Sequence, residues 1–174
     1  GLSGLAIRLP SRAGTVVVVA DRSLSMPHEH QTRQLEIINQ VQAEMSPEDR
    51  LAVVSFGGEA LVEQSPQAGK FGGFVGQVRP DGSDLARALE TAVALIPPES
   101  PGRVMVLSDG RWTGTDPAGV AGRAASRRIA VDYRLMERST AGDLAIQQID
   151  APSTISPGES FMLTAWVRSP IPQE

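Results

Sequence analysis

The 174-residue chain has no cysteine. Disulfides, thiolate zinc sites and thiol catalysis are therefore excluded, while the compartment stays open, because cysteine-free chains occur on both sides of a membrane. It has no apolar run near the roughly 20 residues that a bilayer-spanning helix needs, so no direct membrane insertion is expected. No segment resembles a secretory signal. A concentrated basic surface is also missing: the net charge is −4, and Lys70 is the only lysine. Broad nucleic-acid binding needs the reverse. The arginines that do cluster, Arg123, Arg127 and Arg128, read as a solvated face near a helix C-terminus, where cations suit the dipole. No internal repeat or low-complexity tract occurs. The chain starts at Gly1 rather than Met and reads as a fragment of something longer.

What is present is a core. Hydrophobic residues make up 41% of the chain, enough for one domain of ordinary size plus a remainder. The run Thr15-Val16-Val17-Val18-Val19-Ala20 is β-branched and continuous, the mark of a strand buried on both faces of a parallel sheet. A polar loop over residues 21–30 leads to a helix over 30–45, with Leu35, Ile38, Val41 and Met45 at helical spacing. Strands follow at 51–56 and, after the Gly57-Gly58 turn, at 60–64, the latter an antiparallel edge. Residues 65–82 are Gly-rich, with room for one short helical turn. A strong helix begins at Ser83 and stops at Pro97-Pro98. A strand at 103–107, a weaker helix at 116–127 and a strand at 129–135 complete the pattern, and residues 5–9 read as a short edge strand. Strands alternating with helices predict an α/β, doubly wound, mainly parallel sheet with helices on both faces.

After Met136 the pattern changes. Residues 143–150 and 160–168 are β-like and no helix separates them. Two strands and a turn do not make an independent domain. The expected division is 1–140 for the α/β domain and 141–174 for the start of a truncated, all-β, immunoglobulin-like domain, with Trp166 packed inside it. The tail strands would dock on the first domain, pair with another copy in a homo-oligomer, or lie disordered.

Ligands bind an open parallel sheet at the carboxyl ends of its strands, where strand order reverses. Asp21-Arg22-Ser23-Leu24-Ser25 follows the first strand, Ser108-Asp109-Gly110 follows the fourth, and Asp81-Gly82-Ser83-Asp84 opens the strong helix. These loops carry carboxylates and hydroxyls but no imidazole or sulfur. Such oxygen-only sets suit hard cations, Mg²⁺ or Mn²⁺ and sometimes Ca²⁺. The simpler reading of Ser25 and Ser83 is that they cap helices, which Ser favours, and the two roles are compatible. His28 and His30 read as exposed loop residues, Phe71 and Phe74 as core, Asp81 and Asp84 as turn and first-turn residues.

On these residues the chain resembles von Willebrand factor type A domains, over about residues 15–135. Asp21, Ser23 and Ser25 fit the Asp-x-Ser-x-Ser element of that family's metal-ion-dependent adhesion site, and Asp109 fits its later Asp. Ser83 stands where the family has Thr. The hydroxyl survives, but the stiffer β-branched side chain does not. The resemblance implies that Ser23, Ser25 and Ser83 hold Mg²⁺ (or Mn²⁺ or Ca²⁺) directly, with Asp21 and Asp109 acting through waters. The underneutralised ion then accepts an Asp or Glu carboxylate from a partner protein, with Arg22, His28, Arg111 and Trp112 as the rim. Type A domains followed by immunoglobulin-like segments resemble parts of large bacterial membrane-anchored proteins, which implies membrane association through regions outside this chain, on the extracytoplasmic side.

Three other functions are compatible with the same residues. A phosphohydrolase would use Asp21 as nucleophile, but usually wants a second acid where Ser23 stands and a positioned lysine. A nucleotide site wants a Gly-rich phosphate loop after the first strand, and none is there. A spacer domain with a vestigial metal site is the third.

Overall fold

The computed structural model describes residues 13–26, 28–136, 145–150 and 164–168. The chain divides into two compact units, Gly1–Arg138 and Ser139–Glu174.

The first unit is a five-stranded sheet in the order β3-β2-β1-β4-β5. Its strands are β1 (Thr15–Asp21), β2 (Arg50–Phe56), β3 (Ala60–Gln67), β4 (Gly102–Ser108) and β5 (Ala130–Leu135). All pairings are parallel except β2 with β3, which makes β3 an antiparallel edge. Every residue of β1 is buried, as its valine run requires of a central strand covered on both faces. Val17 and Val19 point into one core layer with Leu85, Leu89 and Val120. Val16 and Val18 point into the other, with Ile37, Ile38 and Val41. Helix α1 (His28–Glu44) thus covers one face, and α2 (Leu85–Ala94) and α3 (Ala118–Ser126) cover the other. The α/β sheet with helices on both faces matches the expectation.

Several local expectations change. The buried stripe of α1 runs through Gln34, Ile37, Ile38 and Val41, while Leu35 is only half-buried. A polar residue therefore occupies a core position of the helix. The strong helix starts at Leu85, capped by the Asp84 side chain, which accepts from the Arg87 amide. Ser83 lies outside that helix and is not its cap. No helical turn forms between residues 65 and 82: β3 continues to Gln67, with register shifts against β2, and non-helical chain follows. The clustered arginines bind helices together. Arg127 donates to the Val93 and Ile96 carbonyls at the end of α2, and Arg123 pairs with Glu90.

In the second unit, β6 (Ala145–Asp150) and β7 (Thr164–Arg168) pair antiparallel with each other. Trp166 is 58% exposed rather than packed inside. The expected strand at 5–9 lies outside the described residues. No helix among the described residues is long and apolar enough to cross a membrane.

Candidate metal centre

Strand order reverses between β1 and β4, so the loops leaving their carboxyl ends diverge and a crevice opens there. Asp21, the last residue of β1, sits in it at 1% exposure. Its Oδ1 accepts from the Ser23 amide at 3.0 Å and the Ser23 hydroxyl at 2.6 Å. Its Oδ2 accepts from the Ser83 hydroxyl at 3.2 Å and the Ser108 hydroxyl at 2.6 Å. Ser25 Oγ lies 2.8 Å from Ser23 Oγ. Four serines and Asp21 thus form one network drawn from three loops.

Backbone bonds lace these loops together. The Leu24 amide donates to the Pro80 carbonyl at 2.8 Å, and Ser83 and Thr113 exchange Ser83 N to Thr113 Oγ1 (2.9 Å) and Thr113 N to Ser83 O (2.8 Å). Delivery of Ser83 depends on Gly57. A Cβ there would lie 2.2 Å from the Arg79 carbonyl oxygen, so only glycine lets residues 79–84 lie against the end of β2. The Gln34 amide, fully buried, donates to the Asp21 carbonyl at 2.7 Å and ties α1 to the site.

Asp109 follows Ser108 at the end of β4. Its Oδ1 accepts from the Arg111 amide at 3.0 Å, while its Oδ2 is buried without a hydrogen-bond partner. Gly110 turns the chain sharply with φ +87°, a region that suits glycine. Tyr133 donates to the Ser108 carbonyl at 2.9 Å. Burial pushes the Tyr133 pKa up, a Ser108 hydrogen bond opposes this, and the negative charges of Asp109 and Asp21 raise it further.

Asp21 sits within the hydroxyl cluster and Asp109 follows its Ser108 in the chain, and neither acid makes an ion pair with a described residue. Burying carboxylates without a counter-charge is costly. The orphaned Asp109 oxygen and the convergent serine oxygens are what a hard cation fits. No group of three or more His, Asp or Glu suited to a metal occurs among the described residues. The set is hydroxyl-rich rather than a carboxylate cage.

Of the expected rim, Arg111 and Trp112 line an open pocket of about 240 Å³ over Ser23, Ser25 and Ser83. Arg22 does not. Its guanidinium turns toward β3, donating to Glu63 at 3.1 Å and to the Gly76 carbonyl at 2.7 Å, and lies 5.1 Å from the Phe74 ring centre. His28 opens α1, and its side chain lies outside the described groups. Sequence reasoning missed Ser108, Gln34 and Thr113. Ser108 had a signal, because it stands beside Asp109 at a strand end. Gln34 had a fainter one, its helical spacing to Ile37, Ile38 and Val41.

A larger open cleft of about 500 Å³ lies at the opposite end of the sheet, between the end of α1 and residues 67–70. Its buried acid, Asp49, spends both oxygens on the Gly14 and Ser46 amides. The larger volume is therefore a structural corner, whereas the smaller pocket lies over Ser23 and Ser83, whose hydroxyls donate to the unpaired Asp21.

The sequence pattern described as von Willebrand factor type A domain matches residues 16–111. Among solved structures, an aerotolerance-related membrane protein from Bacteroides fragilis is 16% identical with a TM-score of 0.63, covering 88% of this chain and 82% of that one. The conserved hypothetical protein BatB from Bacteroides thetaiotaomicron is 14% identical with a TM-score of 0.59, covering 88% and 80%. Proximal thread matrix protein 1 from the mussel byssus is 15% identical with a TM-score of 0.56, covering 70% and 37%. At 88% of 174 residues, the two Bacteroides likenesses run past residue 138 into the second unit. No curated protein matches the sequence.

Proposed function

The chain belongs to the von Willebrand factor type A domain family, and from that premise we propose that its hydroxyl-lined crevice is a divalent-cation site through which the domain binds another protein. Ser23, Ser25 and Ser83 are the residues that would hold the ion, with Asp21 and Asp109 behind them. Bound Mg²⁺ would supply an electrophilic position for one more anionic oxygen, such as a partner's Asp or Glu carboxylate. The observation that carries this reading is the pair of acids, Asp21 buried and Asp109 with one buried orphaned oxygen, that share no counter-charge among the described residues.

The chain's own residues prepare the place. Asp21 fixes the Ser23, Ser83 and Ser108 hydroxyls, and the interlaced loops hold the serine oxygens together. A nucleophilic role for Asp21 fits the geometry poorly. Both its oxygens are engaged, it is 1% exposed, and Lys70 lines the far cleft instead. The likeness to an aerotolerance-related membrane protein supports work beside a membrane, with attachment through segments other than the described residues. Calorimetric titration with Mg²⁺ and Mn²⁺ tests the reading. Binding that disappears in Asp109→Ala is expected; heat unchanged by that substitution, or none at millimolar metal, would leave a spacer domain.

A further inference from the structure

The pocket over the serines has walls as well as a floor. Leu24 stands between Ser23 and Ser25 and is 75% exposed. Its position is held, not loose: its amide bonds to Pro80, and the Met26 amide closes a turn onto the Ser23 carbonyl at 2.9 Å. Nothing in the core requires a large apolar side chain at that tip, since a small or polar residue would preserve both backbone bonds. Trp112, 44% exposed, and Pro80 line the same pocket. So does Arg111, exposed and without an ion pair among the described residues. Single exposed apolar residues are ordinary. Here they surround one polar floor beside an unspent cation, the arrangement of a recognition site rather than of scattered surface.

We propose that this surface reads two adjacent features of a partner protein: an Asp or Glu side chain, and a large apolar side chain within two residues of it that seats between Leu24 and Trp112. The inference rests on the cation reading above and adds the partner's chemistry to it. Charge complementarity with Arg111 favours an acidic segment. The apolar walls favour an acid flanked by Leu, Ile or Phe over one in a run of polar residues. Arg111, a point of attraction at the rim, steers encounter, and Leu24 sets how long the segment stays.

The test is selection of random heptapeptides displayed on phage, bound to the whole chain in Mg²⁺ and released with EDTA. Released peptides carrying an acid with a large apolar residue within two positions are expected. On Leu24→Ser the acid is retained and the apolar preference lost, and a synthetic winning peptide binds about tenfold more weakly, equivalent to 1.4 kcal/mol. Leu24 is exposed, so this variant should melt with the wild type, and a thermal scan checks that. Acid-bearing peptides with no apolar neighbour, or the same consensus on Leu24→Ser, would overturn the proposal while leaving the cation site intact. Enrichment that EDTA does not release, that persists in Asp21→Asn, or that never arises would overturn the cation reading itself. Mg²⁺-dependent, Leu24-dependent self-association in sedimentation velocity would replace the foreign partner with a second copy.

Discussion

Two buried carboxylates, on strands that flank β2, are treated in opposite ways. The Glu63 side chain on β3 has no exposure. Its Oε1 accepts from Ser55 Oγ (2.7 Å) and Arg22 (3.1 Å), and its Oε2 from the Val75 and Gly76 amides (3.1 and 2.9 Å). Asp21 also accepts four hydrogen bonds, but three come from serine hydroxyls and none from a cation. Burial works to raise the Glu63 pKa, yet the bonds from Ser55, Gly76 and Val75 and the charge of Arg22 outweigh it, and the group sits below the ordinary glutamic acid value. Glu63 is a finished structural pin that fastens the Gly-rich segment to the sheet. Asp21 is satisfied in hydrogen bonds but not in charge. Hydrogen bonding alone therefore does not mark a buried acid as structural; the sign and source of its partners do.

Exchanging each acid for its amide should separate the two. Glu63→Gln leaves Arg22 half-buried without its counter-charge, and the loss expected is about 3 kcal/mol of unfolding free energy in urea. A loss under about 1 kcal/mol would mean the pin is not charged in effect. Adding Mg²⁺ at a hundred times its Kd should stabilise the wild type by about 2.7 kcal/mol. Asp21→Asn should abolish that gain in a thermal scan yet differ from metal-free wild type by under about 1 kcal/mol. Stabilisation by Mg²⁺ that survives Asp21→Asn would put the ion elsewhere.

Acid titration draws the same contrast more finely. A carboxylate whose folded pKa is depressed contributes stability that is present above the unfolded value of about 4.3 and is lost as pH falls through the folded value. Wild-type stability should therefore decline below about pH 4.3, and Glu63→Gln should flatten that slope. A slope unchanged by the substitution would assign it to other acids. The smallest effect expected is from Ser83→Thr. The stiffer side chain should tighten Mg²⁺ binding by about 0.5 kcal/mol with the metal-free melting temperature nearly unchanged; weaker binding in calorimetry would show that the site has no room for the methyl.

The sheet was legible in the sequence because its signals are local and redundant. Val16 to Val19 can hardly be anything but a central strand, and the Pro97-Pro98 stop and the Gly57-Gly58 turn bracket their elements. Asp21, Ser23, Ser25 and Ser83 were legible as chemistry, since each follows a strand or precedes a helix, and the structure joins them in one network. What escaped depends on long-range partners. Arg22 looked like a rim residue by its place in the loop, but Glu63, 41 positions on, claims its guanidinium. The Gly-rich segment looked free to coil into a turn, but Glu63 and Arg22 bond its backbone at Val75 and Gly76 and no helical turn forms. Gln34 went unread because its helical spacing puts it on the buried stripe but does not say that its partner is the Asp21 carbonyl, 13 positions back.

The directions of the serine hydrogen bonds have one further consequence. An ionised carboxylate only accepts, so Ser23 and Ser108 must aim their hydrogens inward at Asp21. Ser83 gives its hydrogen to Asp21 or to the Arg111 carbonyl, and Ser25 is left to donate to Ser23. What these four hydroxyls have left to offer is lone pairs alone. Without metal, such a floor would repel a partner's acid and suit an ammonium or a backbone amide; loaded as proposed, it would do the opposite. The ion would thus invert the polarity of the surface, and chelation would exchange one set of partners for another rather than merely silence the domain.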